Sequence, residues 1–262
     1  MSRYSDYKHA NEILRSIEKN PEKYLIIHYS CESFFNLKGK SPRIASISVR
    51  QYNNAQTNNF SIHQVAEQLN MTITDENYLK IEKKLLDDFF KFVEKKSDDK
   101  IWLHWNMRDS IFGFGALELR YKILKGNPTI IDNDKKVDIG HLFKQYYGEG
   151  YIGDSHIKML SEKNEFNPRN FLNGTQEAAA FKNKEYVKLS LSTSSKVNLF
   201  SSFITYAVNN NLLTNTSKWK MRGTNISGLY STFEESRFGK IVIGLILMII
   251  GGVIGAIISN LI

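Results

Sequence analysis

No charged residue follows Lys240, and from there the chain reads IVIGLILMIIGGVIGAIISNLI to Ile262. About 20 consecutive apolar residues suffice to cross the hydrocarbon core of a bilayer as a helix. A helix of a water-soluble domain needs a polar face, and this stretch has none. Residues 241–262 are therefore expected to form one transmembrane helix that serves as a tail anchor. Arg237 and Lys240 stand just before it, which by the positive-inside rule keeps the N-terminal domain in the cytoplasm. Gly251 and Gly255 form a GxxxG pattern, with Gly244 one heptad earlier on nearly the same face. Small residues there would let two copies pack into a homo-oligomer through the membrane helix, although glycine is also simply frequent in such helices.

The remaining chain must fold by itself. With 42% hydrophobic and 24% charged residues in a 262-residue chain it can build a sizeable core. The formal net charge of +8 favours an acidic partner, either nucleic acid or an anionic membrane surface. Cys31 is the single cysteine, so an internal disulfide and a cysteine-based zinc site are both excluded. The first twenty residues are polar and of mixed charge, with no run resembling a secretion signal. The expected organisation is an α/β domain over residues 1–214, a linker over 215–240 rich in Ser, Thr, Asn and Gly, and the membrane helix. In the linker, KWKMRG (Lys218 to Gly223) puts three cations and Trp219 close to the membrane, suited to lipid head groups or to stacking on single-stranded nucleic acid.

Apolar spacing assigns the elements. Tyr7 to Lys19 reads as a helix, and YLIIHY from Tyr24 as a buried strand. The alternation of Ile44, Ile47 and Val49, a polar turn and FSIHQ read as a hairpin. Glu76 to Lys96 is an amphipathic helix, IWLHW a second buried strand, and DSIFGFGALELRYKILKG a helix from Asp109. PTIIDN suits a short strand, DIGHLFKQYYG a helix, and Val197, Phe200, Ile204 and Val208 mark a late helix. Helices alternating with strands after an early hairpin predict a mixed sheet with helices on both faces.

Two short motifs sit where such strands end. Ser30-Cys31-Glu32-Ser33 follows the first strand, with Arg43-Ile44 opening the next. His104-Trp105-Asn106-Met107-Arg108-Asp109 follows the later buried strand. This order resembles the DEDD-type 3′–5′ exonucleases of the ribonuclease H-like fold. The resemblance implies a three-layer α/β fold and a site in which Glu32 and Asp109 hold paired Mg²⁺ or Mn²⁺ ions that activate water. It also implies a catalytic part for Asn106 beside them. It puts Ser30 in place of the family's first acid and Asn198, in STSSKVN, in place of its last. Thr193 or Ser194 stands where the family has a His or Tyr base. Ser30, Arg43, His104 and Asn198 then become candidate ligand contacts. With two of four acids replaced, the metal site is expected to be impaired, because Mg²⁺ needs carboxylate oxygens.

Each residue also has a plainer role. Glu32 could cap the next segment or pair with Arg43, Asp109 could N-cap a helix, and Asn106 could make a loop hydrogen bond. Asp138, which follows Val137 and precedes a helix, is a further candidate at the same sheet edge. His28 and His104 end two strands that this fold would make neighbours, and together could bind a transition metal or act as acid and base; singly, each could be a hydrogen-bonded core residue. No GxxxxGK[ST], HExxH, GxSxG or paired CxxC occurs, and Gly113 to Gly115 falls inside an expected helix. The functional expectation is a membrane-anchored, exonuclease-like module that binds nucleic acid or a nucleotide, of a kind suited to bacterial antiviral defence. The alternative is an active metal-dependent 3′–5′ exonuclease or nucleotide hydrolase at the membrane.

Overall fold

The computed structural model describes residues 2–33, 37, 40–96, 98–108, 112–223, 233, 241–242, 245 and 248. The chain forms two compact units. The larger holds residues 12–142 and 154–213, and the smaller holds 1–11, 143–153 and 214–262.

The larger unit is built on a five-stranded mixed sheet. Its central strand β1 (Tyr24–Cys31) is buried along its whole length, as the apolar run Leu25-Ile26-Ile27 predicts. Strand β2 (Ile44–Gln51) pairs with it antiparallel, and β3 (Thr57–Ser61) pairs antiparallel with β2. On the other side β4 (Ile101–His104) and then β5 (Lys136–Asp138) continue the sheet in parallel, giving the order β3-β2-β1-β4-β5. The carboxyl ends of β1, β4 and β5 therefore lie along one edge.

Strand side chains alternate between faces. Leu25, Ile27, Tyr29 and Trp102 join one core cluster with Tyr78, Ile81, Leu85, Phe89 and Val93 of α3 (Asp75–Glu94) and Leu117 and Tyr121 of α4 (Phe114–Ile123). The opposite set faces α8 (Tyr186–Val208), which buries Val197, Phe200 and Phe203 and also meets the sheet through hydroxyls. Ser46 Oγ lies 2.9 Å from Ser30 Oγ and 2.7 Å from Thr193 Oγ1, and Ser48 Oγ lies 3.2 Å from Ser194 Oγ. Short helices α2 (Ile62–Gln68), α6 (His156–Lys163) and α7 (Gly174–Lys182) complete this unit. A buried ion pair ties its layers: Glu82 of α3 accepts from Arg120 of α4 and from the backbone N–H of Ile44.

The smaller unit gathers the start of α1 (Arg3–Lys19), the end of α5 (Ile139–Tyr147) and α9 (Lys218–Arg222). Arg3 donates to the carbonyls of Gln145 and Tyr146, capping the last turn of α5. The Tyr7 ring stacks on Tyr146, and the Arg222 guanidinium lies 5.3 Å from the Tyr7 centroid.

Two local expectations differ from the structure. The helix expected from Asp109 begins at Phe114, with Gly113 at its N-cap. Glycine is a poor helix former, and the Gly113 N–H is instead bonded to the Tyr29 hydroxyl at 2.9 Å. The strand expected in PTIIDN is displaced to Lys136–Asp138, where Val137 stands in register with Leu103. Of the C-terminal stretch only Ile241, Val242, Leu245 and Met248 are described, all helical. The expected membrane helix, with Arg237, Lys240, Gly244, Gly251 and Gly255, otherwise lies outside the described residues. Among the described residues no helix is long and apolar enough to cross a membrane.

Candidate functional site

Three groups of polar side chains collect near the shared carboxyl edge of β1, β4 and β5. The first follows β1. Glu32 binds Arg43 through both carboxylate oxygens, Nε to Oε2 and Nη2 to Oε1, each at 3.0 Å. Its backbone N–H also donates to the Arg43 carbonyl at 2.8 Å. Arg43 is further held by the rings of Tyr78 and Phe181, at 4.9 and 5.2 Å from their centroids. The hydrogen-bonded carboxylate raises the pKa of this guanidinium further. The pairing read from sequence as the plainer role of Glu32 is thus present. Arg43, a candidate ligand contact, is committed to it.

The second group lies beneath α8. Lys196 is buried, and its Nζ sits 2.7 Å from Glu177 Oε2 of α7 and 5.5 Å from the Phe171 centroid. Ser192 donates to Glu177 Oε1 at 2.9 Å and accepts from the Leu172 N–H. Cys31, enclosed close by, has its thiol pKa raised by burial first and then by Glu177, Glu32 and Glu82, with Lys196 opposing. His28 is wedged edge-on between Phe112 and Phe200, and its Nδ1 has no hydrogen-bond partner among the described residues. Burial, and secondarily Lys196, hold His28 well below the ordinary imidazole range, so it is neutral.

The third group ends β4 and β5. His104 and Asp138 are register partners. His104 Nδ1 accepts the Met107 N–H at 3.2 Å, so its proton rests on Nε2. Burial lowers its pKa to about 4 despite Asp138, while Arg108 and Lys136 push the same way as burial. Asp138 Oδ1 accepts from the Gly140 and His141 N–H groups at the start of α5, and Oδ2 faces Arg108 Nε at 2.7 Å. Asn106 adopts a positive φ of 53° and accepts from Arg108 at 3.2 Å. A cavity of about 700 Å³ opens here, lined by His104, Arg108, Glu118, Lys136, Asp138 and His141 with an apolar wall of Met107, Phe114 and Ile130. Burial raises the pKa of Glu118, against the pull of Lys136 and Lys122.

The two histidines do not form a pair. Their strands are neighbours, but Ile27, not His28, stands opposite His104. One residue of offset puts the two imidazoles on opposite faces of the sheet. Asn198 is exposed on α8 and lines a separate cavity of about 490 Å³ with Ser194, Ser195 and Ser202. Ser30 is buried and bonded to Ser46. Asp109 lies outside the described residues.

The described members of the expected set do not gather around a metal pair. Both Glu32 oxygens are taken, the Ser30 hydroxyl is enclosed, and Asn198 faces another cavity. Among the described residues no three of His, Cys, Asp and Glu gather as metal ligands. In the third group, sequence marks His104, Asn106 and Asp138. Arg108, Glu118, Lys136 and His141 went unassigned, as did Glu177 and Lys196. No family model and no curated protein matches the chain.

Proposed function

We propose that the chain is a membrane-anchored module of the ribonuclease H-like kind that binds a nucleotide or a nucleic-acid end at the carboxyl edge of its sheet, with its metal chemistry impaired. The observation that carries this is the composition of the cavity beyond β4 and β5. It joins an apolar wall, two carboxylates and two cations where parallel strands end, the place at which α/β sheets take ligands. A nucleotide presents a complement to each: a flat base for Phe114 and Met107, a hydroxyl for Glu118, and phosphate for Lys136 and for Arg108, which Asp138 orients. The strand order and the antiparallel second strand support the ribonuclease H-like reading, and the net charge of +8 supports an anionic ligand. The apolar C-terminal stretch carries the anchoring.

The test is a calorimetric titration of the full-length protein with the common ribonucleotides and a short single-stranded DNA. Saturable binding is expected for at least one. Lys136→Ala should weaken it by about tenfold, the equivalent of roughly 1.4 kcal/mol for one lost charge-assisted contact. Absence of saturation at millimolar ligand throughout the panel would sink the proposal.

Metal-dependent degradation of single-stranded DNA or RNA is expected to be weak, since the hydrolysis of this kind relies on carboxylates that can reach a metal pair. Rapid Mn²⁺-dependent cleavage that disappears in Glu32→Ala would reverse the proposal in favour of an exonuclease.

A further inference from the structure

Two ion pairs stand one helical turn apart along α7. Phe181, whose ring lies under Arg43, is four residues after Glu177, so both face the same side of that helix. At the end of β1 the chain thus aligns Glu32 with Arg43 and Glu177 with Lys196. We infer that the Lys196 ammonium and the Arg43 guanidinium are resident cations that take the place of divalent metal at this end of the sheet, so that the module keeps its site neutral and folded with no metal ion. This deepens the impaired-metal part of the function proposed above and does not depend on the nucleotide cavity.

The geometry favours it in three ways. Each carboxylate is met by a cation from its own chain at hydrogen-bond distance, bidentate at Glu32 and single at Glu177. Glu177 and Lys196 are both largely buried, 13% and 7% exposed at the side chain, where a carboxylate must have a fixed counter-charge. The remaining capacity of Glu177 is filled by the Ser192 hydroxyl, itself anchored by the Leu172 N–H. A divalent cation entering here would have to displace an ammonium or a guanidinium already in contact. An ammonium differs from Mg²⁺ in one useful respect: it arrives with the fold and cannot be chelated.

The experiment titrates the full-length protein with MnCl₂ alone and follows both calorimetric heat and melting temperature. Wild type should show no saturable binding at 1 mM Mn²⁺ and no change of melting temperature with chelator. Lys196→Gln keeps the side-chain volume but removes the charge, so it should melt lower and recover part of the loss in Mn²⁺. The double variant Lys196→Gln/Glu177→Gln, with both charges removed, should show no recovery. Saturable binding to wild type that Glu32→Gln or Glu177→Gln abolishes would overturn the inference, as would Lys196→Gln melting no higher in Mn²⁺ than in chelator. Should Lys196→Gln fail to fold, Arg43→Gln provides the same comparison at Glu32. No nucleotide enters these measurements, so their failure is separate from failure of the nucleotide reading.

Discussion

Glu82→Ala is expected to lower the melting temperature by about 10 °C. Breaking a buried ion pair by removing one partner costs about 3–5 kcal/mol, and a chain of this size loses roughly 2–4 °C per kcal/mol. Glu82 is fully buried and accepts from Arg120 Nε at 2.8 Å and from the Ile44 N–H at 2.6 Å. Its removal strands the Arg120 guanidinium, which among the described residues otherwise has a long 3.4 Å contact to the Ser41 carbonyl. It also frees the N–H that begins β2, beside the Ile44 carbonyl held by Tyr78. The paired change Glu82→Leu/Arg120→Leu removes both charges and should recover most of the loss, since apolar replacement of a buried pair is often neutral. A single variant that melts within 3 °C of wild type would show that the pair does not hold these layers together.

Acid should loosen the protein well before its carboxylates titrate. His28 and His104 are both buried with pKa values below the ordinary 6.5, mainly through burial. A depressed histidine contributes stability that is full above about pH 6.5 and is lost as pH falls toward the folded value. At pH 5 His104 has lost about 2 kcal/mol, being 1.5 pH units at about 1.4 kcal/mol per unit, and His28 loses stability in the same direction. The window for His104 closes near pH 4, its folded value. His28→Leu can fill the space between Phe112 and Phe200 and does not titrate. His104→Asn keeps an acceptor for the Met107 N–H. Urea unfolding at pH 7.5 and pH 5 should show a smaller acid loss in either variant than in wild type, and the least in the double variant. Equal stability of wild type at the two pH values would contradict the buried, neutral state of both rings.

What could be read from sequence follows from the range of the physics involved. Leu25 to Ile27 announce β1 because burial on both faces demands a continuous apolar run. The Glu32–Arg43 pair was legible as one of two roles, since a hairpin brings its ends together. The register between β1 and β4 was not. Those strands are far apart in the chain, and one residue of slip decides whether His28 or Ile27 stands opposite His104. Glu82 and Lys196 carried a signal that went unread. Glu82 lies on the stripe of Tyr78, Leu85 and Phe89, and Lys196 on that of Leu189, Thr193, Phe200 and Phe203. A charge at a core position of an amphipathic helix asks for a partner, but sequence does not name Arg120 or Glu177. The cavity beyond β5 was half legible: Asp138 was placed at the edge, whereas Lys136 and Glu118 reach it only because the strand formed at Lys136–Asp138 rather than earlier.

The hydroxyl seam between the sheet and α8 limits which substitutions this chain tolerates. Ser30 is enclosed, 2.9 Å from Ser46, which in turn touches Thr193. An aspartate arriving at position 30 would bring a charge into a space sized for hydroxyls, with Arg43 and Lys196 already engaged elsewhere. Such a step is strongly disfavoured on its own. Substitutions in α8 that open the seam would have to come first, and they would loosen the helix before any advantage appeared. With the seam closed by small hydroxyls, position 30 admits only a small side chain unless α8 moves away from the sheet.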